Sequence, residues 1–228
     1  MICHGTPSPL LWKKNVEYIE KKKHLKLTDV NFRCKKFGGH SSYGILYQRN
    51  RKLYYVPKEC DPYFQIFLQD LSLRPSCYKC RFKGIDRCSD ITLGDFWGIE
   101  EFAPNLSDGN GSSIIIVHST CGKNLLEKIN DSLDITEIDA STVFSTHNRA
   151  MCESSRLPKE RQEFWNDCYS LDSKKLFKKY AKVSSKEKTK WFLTKLGLLD
   201  IIRKRRKIGG VVTSNDFGMP YHFKKYGE

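Results

Sequence analysis

The sequence has no run of roughly twenty uncharged apolar residues, the length a bilayer crossing requires, and runs such as Ile114 to Val117 stop after a few residues. Met1-Ile2-Cys3-His4-Gly5-Thr6-Pro7-Ser8-Pro9 lacks a basic region followed by an apolar one. No secretory leader is read, and a cytoplasmic location is expected. There is no Gly-x-Gly-x-x-Gly fingerprint and no Walker sequence, so a Rossmann-type dinucleotide site is not supported. No serine or cysteine hydrolase triad is legible, and no internal repeat is visible. What the chain does have is material for a core: of 228 residues, 39% are hydrophobic and 12% aromatic, while 29% are charged. At about 100–200 residues per domain, that is one large domain or two small ones with a soluble surface.

The net charge of +14 suggests nucleic acid until it is divided along the chain. Residues 1–155 hold 21 Lys/Arg against 18 Asp/Glu, and residues 156–228 hold 19 against 8. The body is nearly neutral, and the excess belongs to the last third. Charge runs on terminal helices are usually solvated faces. The segment Lys174 to Lys207, with Trp191 and Phe192 interleaved, is therefore read as an extension that meets acidic partners or an anionic surface at its periphery, and nucleic acid is the less favoured partner.

Periodicity and punctuation give the organisation. Ser8-Pro9 followed by Leu10, Leu11, Val16 and Ile19 starts a helix over about 9–23. Thr28 to Lys35, Tyr43 to Gln48 and Leu53 to Val56 read as strands, the last two a hairpin turning at Arg49-Asn50-Arg51. Asp61-Pro62 opens a helix with Phe64, Phe67, Leu68 and Leu71 at helical spacing. Ile91 to Leu93, Ser113 to His118 and Ile135 to Ile138 are further strands. Gly109-Asn110-Gly111 is a turn, and Leu125, Leu126 and Ile129 mark a short helix. Helices are expected near 158–170 and 186–207, with Gly209 to Glu228 frayed. Strands alternating with helices give an α/β fold, a mixed sheet flanked by helices with a basic helical C-terminal extension. The expected division is a domain over 1–155 and the extension over 156–228.

Nine cysteines, an odd number in a chain without a leader, do not form a disulfide framework. They stand at 3, 34, 60, 77, 80, 88, 121, 152 and 168, and three of them crowd into Cys77 to Cys88. A Cys-x-x-Cys such as Cys77 and Cys80 turns two sulfurs toward one metal. Arg74, Lys79, Arg81, Lys83 and Arg87 surround them with positive charge that favours thiolates. Cys88 is a third candidate ligand, and Cys3 a fourth if the fold returns the N-terminus. Zinc and an iron–sulfur cluster both suit such ligands. Two buried apolar cysteines beside a turn is the plain alternative.

The downstream stretch Arg87-Cys88-Ser89-Asp90-Ile91-Thr92-Leu93-Gly94-Asp95-Phe96-Trp97-Gly98 resembles the segment that follows the Cys-x-x-Cys in the coenzyme F-420 hydrogenase/dehydrogenase beta subunit family. It looks most like the branch found with bacterial polysaccharide genes. The resemblance includes Cys3-His4-Gly5-Thr6-Pro7-Ser8-Pro9 with Trp12, Val30-Asn31-Phe32-Arg33, Arg74-Pro75-Ser76-Cys77-Tyr78-Lys79-Cys80, and Gly111-Ser112-Ser113 through Val117 with Gly122. It covers roughly residues 1–165, and several motifs in one order make it specific.

The resemblance implies an oxidoreductase subunit with a 4Fe-4S cluster and FAD, passing electrons between the two and working with a redox partner protein or ferredoxin-like subunit. The matching metal ligands are Cys3, Cys77 and Cys80, with Cys88 the weaker fourth and Asp90 either a ligand or a turn cap. Gly94, Asp95, Phe96, Trp97 and Gly98 are the cofactor-binding candidates, since flat rings at a glycine-flanked turn suit an isoalloxazine. His4 is a candidate ligand or proton relay against a core role, and His118 is read as structural. Full-length relatives open with a ferredoxin-like Cys-x-x-Cys-x-x-Cys-x-x-x-Cys-Pro segment that this sequence lacks. The expectation is the C-terminal part of that architecture, with its enzymatic activity open. A non-catalytic zinc- or cysteine-stabilised module and a basic RNA-binding protein are the alternatives.

Overall fold

A computed structural model describes residues 1–195 apart from 24–25, 36–42, 50–51, 85, 108–110 and 145. The chain runs α1 (Pro9–Lys23), β1 (Leu27–Cys34), β2 (Gly44–Arg49), β3 (Lys52–Pro57), α2 (Pro62–Leu68), a 3-10 turn (Pro75–Lys79), β4 (Ile91–Asp95), α3 (Ile99–Phe102), β5 (Ser113–Val117), α4 (Thr120–Ile129), α5 (Ala140–Val143), α6 (Arg161–Ser170), α7 (Ser173–Tyr180) and α8 (Ser185–Lys195). The mixed α/β class holds. Its strands divide into a three-stranded antiparallel sheet, β1-β2-β3, and a two-stranded one, β4-β5.

Local chemistry explains the helix starts. The Ser8 hydroxyl accepts from the Leu10 amide at 3.1 Å at the head of α1, and the Asp61 carboxylate caps α2 with Pro62 in its first turn. Ser119 caps α4 and Asp172 caps α7. In β2 the inward side chains of Ile45 and Tyr47 alternate with half-exposed neighbours. Gly44 is required at the start of β2, opposite Pro57 of β3, since a Cβ there would lie 2.3 Å from the Val56 carbonyl oxygen.

Two cores result. The larger gathers Leu11 of α1, Ile45 and Tyr47 of β2, Phe64 and Ile66 of α2, Phe164 and Cys168 of α6, and Leu176, Phe177 and Tyr180 of α7. The smaller joins Phe96, Ile99, Ile114, Val143 and Met151. The larger core thus draws side chains from both sides of residue 155. Helix α7, read from sequence as part of a basic tail, buries Leu176, Phe177 and Tyr180 beneath its lysines.

The strand expected over Ile135 to Ile138 is not formed: residues 134–139 carry no regular structure. A strand needs a hydrogen-bonded neighbour, and among the described residues β4 and β5 pair only with each other. Ile138 instead anchors this loop against the smaller core while Ile135 stays exposed. The expected turns at Asn50-Arg51 and Gly109-Asn110, and everything expected beyond Lys195, lie outside the described residues.

A polar network is buried in the larger core. Asp61 Oδ1 accepts from the Phe64 amide at 2.9 Å, its Oδ2 accepts from the Tyr47 hydroxyl at 2.7 Å, and Asn15 Nδ2 donates to that hydroxyl at 3.2 Å. Burial pushes the Asp61 carboxyl up from 3.8 to about 6, against the hydrogen bonds that favour its anion. Because the folded value lies above the unfolded one, the folded chain keeps a proton that the unfolded chain releases. The stability that this proton brings is present below about pH 4 and is lost as pH rises through about 6. Relative to Asp61→Asn, the parent protein should therefore lose up to about 3 kcal/mol between pH 4 and pH 7 in urea unfolding. A pH-independent difference between the two proteins would refute this.

Candidate functional site

The N-terminal segment is stitched between two elements. The Ile2 amide donates to the Leu93 carbonyl of β4 at 2.7 Å. On its other side the Arg74 amide donates to the Thr6 carbonyl at 3.0 Å, the Ser8 amide donates to the Ser72 carbonyl at 2.8 Å, and Pro7 bridges Leu73. Gly5 makes this approach possible, because a Cβ there would lie 2.7 Å from Leu73 Cδ1. Cys3 is thereby carried to the Cys-x-x-Cys loop.

Pro75 starts the 3-10 turn that presents Cys77, whose amide donates to the Arg74 carbonyl at 2.9 Å. The Cys77 sulfur accepts the Thr6 amide at 3.3 Å, and the Cys80 amide is held by the Ser154 hydroxyl at 2.9 Å. Lys83 ties the parts together: its ammonium donates to the Cys3 carbonyl at 2.6 Å and to the Ala150 carbonyl. Burial lowers its pKa, while the thiols of Cys80, Cys3 and Cys77 pull it up. Three of the expected ligands thus lie within electrostatic reach of one lysine. Cys88 is exposed and is not among the thiols that act on Lys83. Among the described residues, no three or more His, Cys, Asp or Glu side chains form a ready-made metal site.

The cations of this loop divide by role. Arg74, Lys79 and Arg81 are exposed. Arg87 instead donates to the Gly84 and Met151 carbonyls at 3.0 and 2.9 Å, so like Lys83 it clamps backbone. Asp90 accepts from the hydroxyl of Ser119, the residue that caps α4, and its carbonyl accepts the His118 amide at 2.9 Å. His4 pairs with Asp70 at 2.8 Å and sets its edge against Phe67. His118 shares a hydrogen bond of 2.9 Å with Thr92, a structural contact as expected.

Across the expected cofactor turn, the five candidates separate. Gly94 lies in β4 opposite Ile114, and the space a Cβ would need is filled by Ile2 at 2.8 Å. Phe96 is buried in the smaller core, stacked on Phe102. Gly98 has φ of +86° at the start of α3, a conformation suited to glycine, with His147 3.0 Å from its absent Cβ. Only Asp95 and Trp97 keep partly open side chains, and both meet Arg33 of β1. Arg33 pairs with the Asp95 carboxylate, and its guanidinium lies 5.4 Å from the Trp97 ring and 5.0 Å from Tyr43. Asn148 is buried and grips the Trp97 backbone on both sides, accepting its amide at 3.1 Å and donating to its carbonyl at 3.0 Å.

Arg33, Asp70, Asn148 and Ser154 were not legible as site residues. Their partners lie tens of residues away, and no local spacing marks a residue whose task is to hold a distant backbone group.

Apart from residues 147–154, the segments joined here fall within a match to a known family. The family described as the C terminus of the coenzyme F420 hydrogenase/dehydrogenase beta subunit matches residues 1–142. The chain belongs to this family. No curated protein and no solved structure matches it. The family is one of redox-enzyme subunits, and the matched part of this beta-subunit domain contains Cys3, Cys77, Cys80, Cys88 and the whole of Gly94–Gly98. The match ends inside α5, so α6 to α8 lie beyond it. No helix among the described residues is long and apolar enough to cross a membrane.

Proposed function

We propose that this beta-subunit domain is an electron-transfer module of a cytoplasmic oxidoreductase, with a 4Fe-4S cluster bound through Cys3, Cys77 and Cys80 and FAD beside the Asp95–Trp97 turn. A separate ferredoxin-like protein exchanges electrons with it. The observation that carries this reading is the return of the N-terminal segment to the cysteine loop, where the Cys77 sulfur accepts the Thr6 amide and the Lys83 ammonium donates to the Cys3 carbonyl. The donor chemistry suits the group: soft sulfur ligands, a backbone amide directed at one sulfur, and a cation to balance thiolate charge. Such a cluster moves single electrons, and a flavin couples them to hydride chemistry.

The chain's own residues supply the rest. Lys83 holds the Cys3 and Ala150 backbones together, so the N-terminal segment and the loop before α6 stay closed around the thiols. Arg33 fixes Asp95 beside the Trp97 ring, and Asn148 sets the backbone of that turn. Arg33 and Trp97 offer a flavin a cationic and a flat surface.

Anaerobically purified or reconstituted protein is expected to be brown, with iron, sulfide and flavin in fixed ratio and a broad visible absorbance that bleaches on reduction. Colourless protein with stoichiometric zinc and no iron, even after reconstitution, would overturn the proposal in favour of a structural metal module.

A further inference from the structure

Away from the cysteines, helices α1, α7 and α8 close over the β2-β3 hairpin and leave a cavity of about 710 Å3, within the range of small-molecule sites. None of Cys3, Cys77, Cys80 or the Gly94–Gly98 turn lines it. Its floor holds Arg49, the last residue of β2, which is 3% exposed. The guanidinium lies over the Tyr54 ring at 4.5 Å, and its Nε and one Nη are buried with no hydrogen-bond partner among the described residues. Buried guanidinium nitrogens without acceptors are destabilising. The group that best satisfies them is an anion with two oxygens in a plane, such as a phosphate.

The rest of the lining points the same way. Lys174 and Lys178 stand one turn apart on α7, and Lys188 projects from α8. None of the three is in an ion pair among the described residues. Their neighbours differ: Lys175 pairs with Asp172, and Lys179 with Glu163 and Asp167. The one carboxylate in the lining, Asp61, already has both oxygens engaged by Phe64 and Tyr47. Tyr18, Tyr55 and Trp191 give aromatic walls, with the Tyr55 and Trp191 rings 5.7 Å apart. Cations gathered at one cavity beside flat apolar rings match a molecule with a phosphorylated end and a ring body.

We infer that this cavity is a binding site for a nucleotide-sized phosphorylated ring compound. Its phosphates are held by Arg49 with Lys174, Lys178 and Lys188, and its ring lies against Tyr55 and Trp191. Two of the walls, α7 and α8, lie beyond residue 142, so the site belongs in part to the region of the chain outside the shared family domain. It also gives part of the basic last third a specific task.

Calorimetric titration of the full chain with ADP, pyrophosphate and adenosine tests this. ADP is expected to bind in the micromolar range, pyrophosphate more weakly, and adenosine at least about a hundredfold more weakly than ADP. Arg49→Met should lower ADP affinity by at least about tenfold. Because Arg49 is buried, the exposed pair Lys178→Glu with Lys188→Glu provides a second test, with a similar loss expected and an unchanged thermal melt. Iron content should be equal in all variants, which separates this site from the redox proposal. The inference is overturned if neither ADP nor pyrophosphate binds at millimolar concentration, or if the variants bind as the parent does. Retention of RNA without ADP binding would overturn it in favour of a polyanion surface. Displacement of ADP by FAD, with flavin lost from Arg49→Met, would make the cavity the flavin site and overturn a separate one.

Discussion

Cys77→Ala and Cys80→Ala are each expected to abolish iron binding in anaerobically reconstituted protein, whereas Cys60→Ala and Cys168→Ala leave it intact. The division follows from where each sulfur sits. Cys77 receives the Thr6 amide on its sulfur, and the Lys83 ammonium holds the Cys3 carbonyl against the loop that carries Cys77 and Cys80. Cys60 lies elsewhere, beside α2, where burial and the nearby Glu187 and Glu59 push its thiol up to about 11. Cys168 is fully buried in the larger core, and burial raises its thiol as well. Neutral thiols in apolar surroundings are poor metal ligands. Iron per protein chain and the visible spectrum give the readout, and equal iron in all four variants would show that the ligands lie elsewhere.

Phe164→Ala should destabilise the protein by about 3–5 kcal/mol, as expected for a large buried ring replaced by a methyl group. Phe164 is 0% exposed, and its ring meets Trp165 and Tyr180 edge-on at 5.3 and 5.2 Å. The same packing predicts the outcome of truncation. A chain ending at residue 160 loses Phe164, Cys168, Leu176, Phe177 and Tyr180 from a core that the N-terminal segments cannot close alone. It is expected to show no cooperative unfolding. A chain ending at residue 184 keeps all five side chains and should melt cooperatively. Urea titration followed by circular dichroism distinguishes the two, and a cooperative transition at the parent midpoint for the shorter chain would refute the argument.

The helix starts at Ser8-Pro9 and Asp61-Pro62, the β2-β3 hairpin, the β4 and β5 strands and the Cys77-x-x-Cys80 loop were all legible in the sequence. Each depends on neighbours a few residues apart: a capping oxygen, an alternation, a turn, a two-residue gap. The motifs shared with the beta-subunit family also marked Cys3, whose carbonyl the fold brings to the Lys83 ammonium. Local pattern misled where burial depends on distant partners. Ile135 to Ile138 has strand composition but no strand to pair with among the described residues. The lysines of α7 concealed a helix whose Leu176, Phe177 and Tyr180 complete the core. Only the tertiary structure turned Lys83 from one cation among five into the clamp between residues 3 and 150, and Arg49 from a hairpin charge into a buried residue in the lining of a cavity. A side chain's partner and its dielectric surroundings are set by segments far apart in the chain, and these take shape only when the cores close.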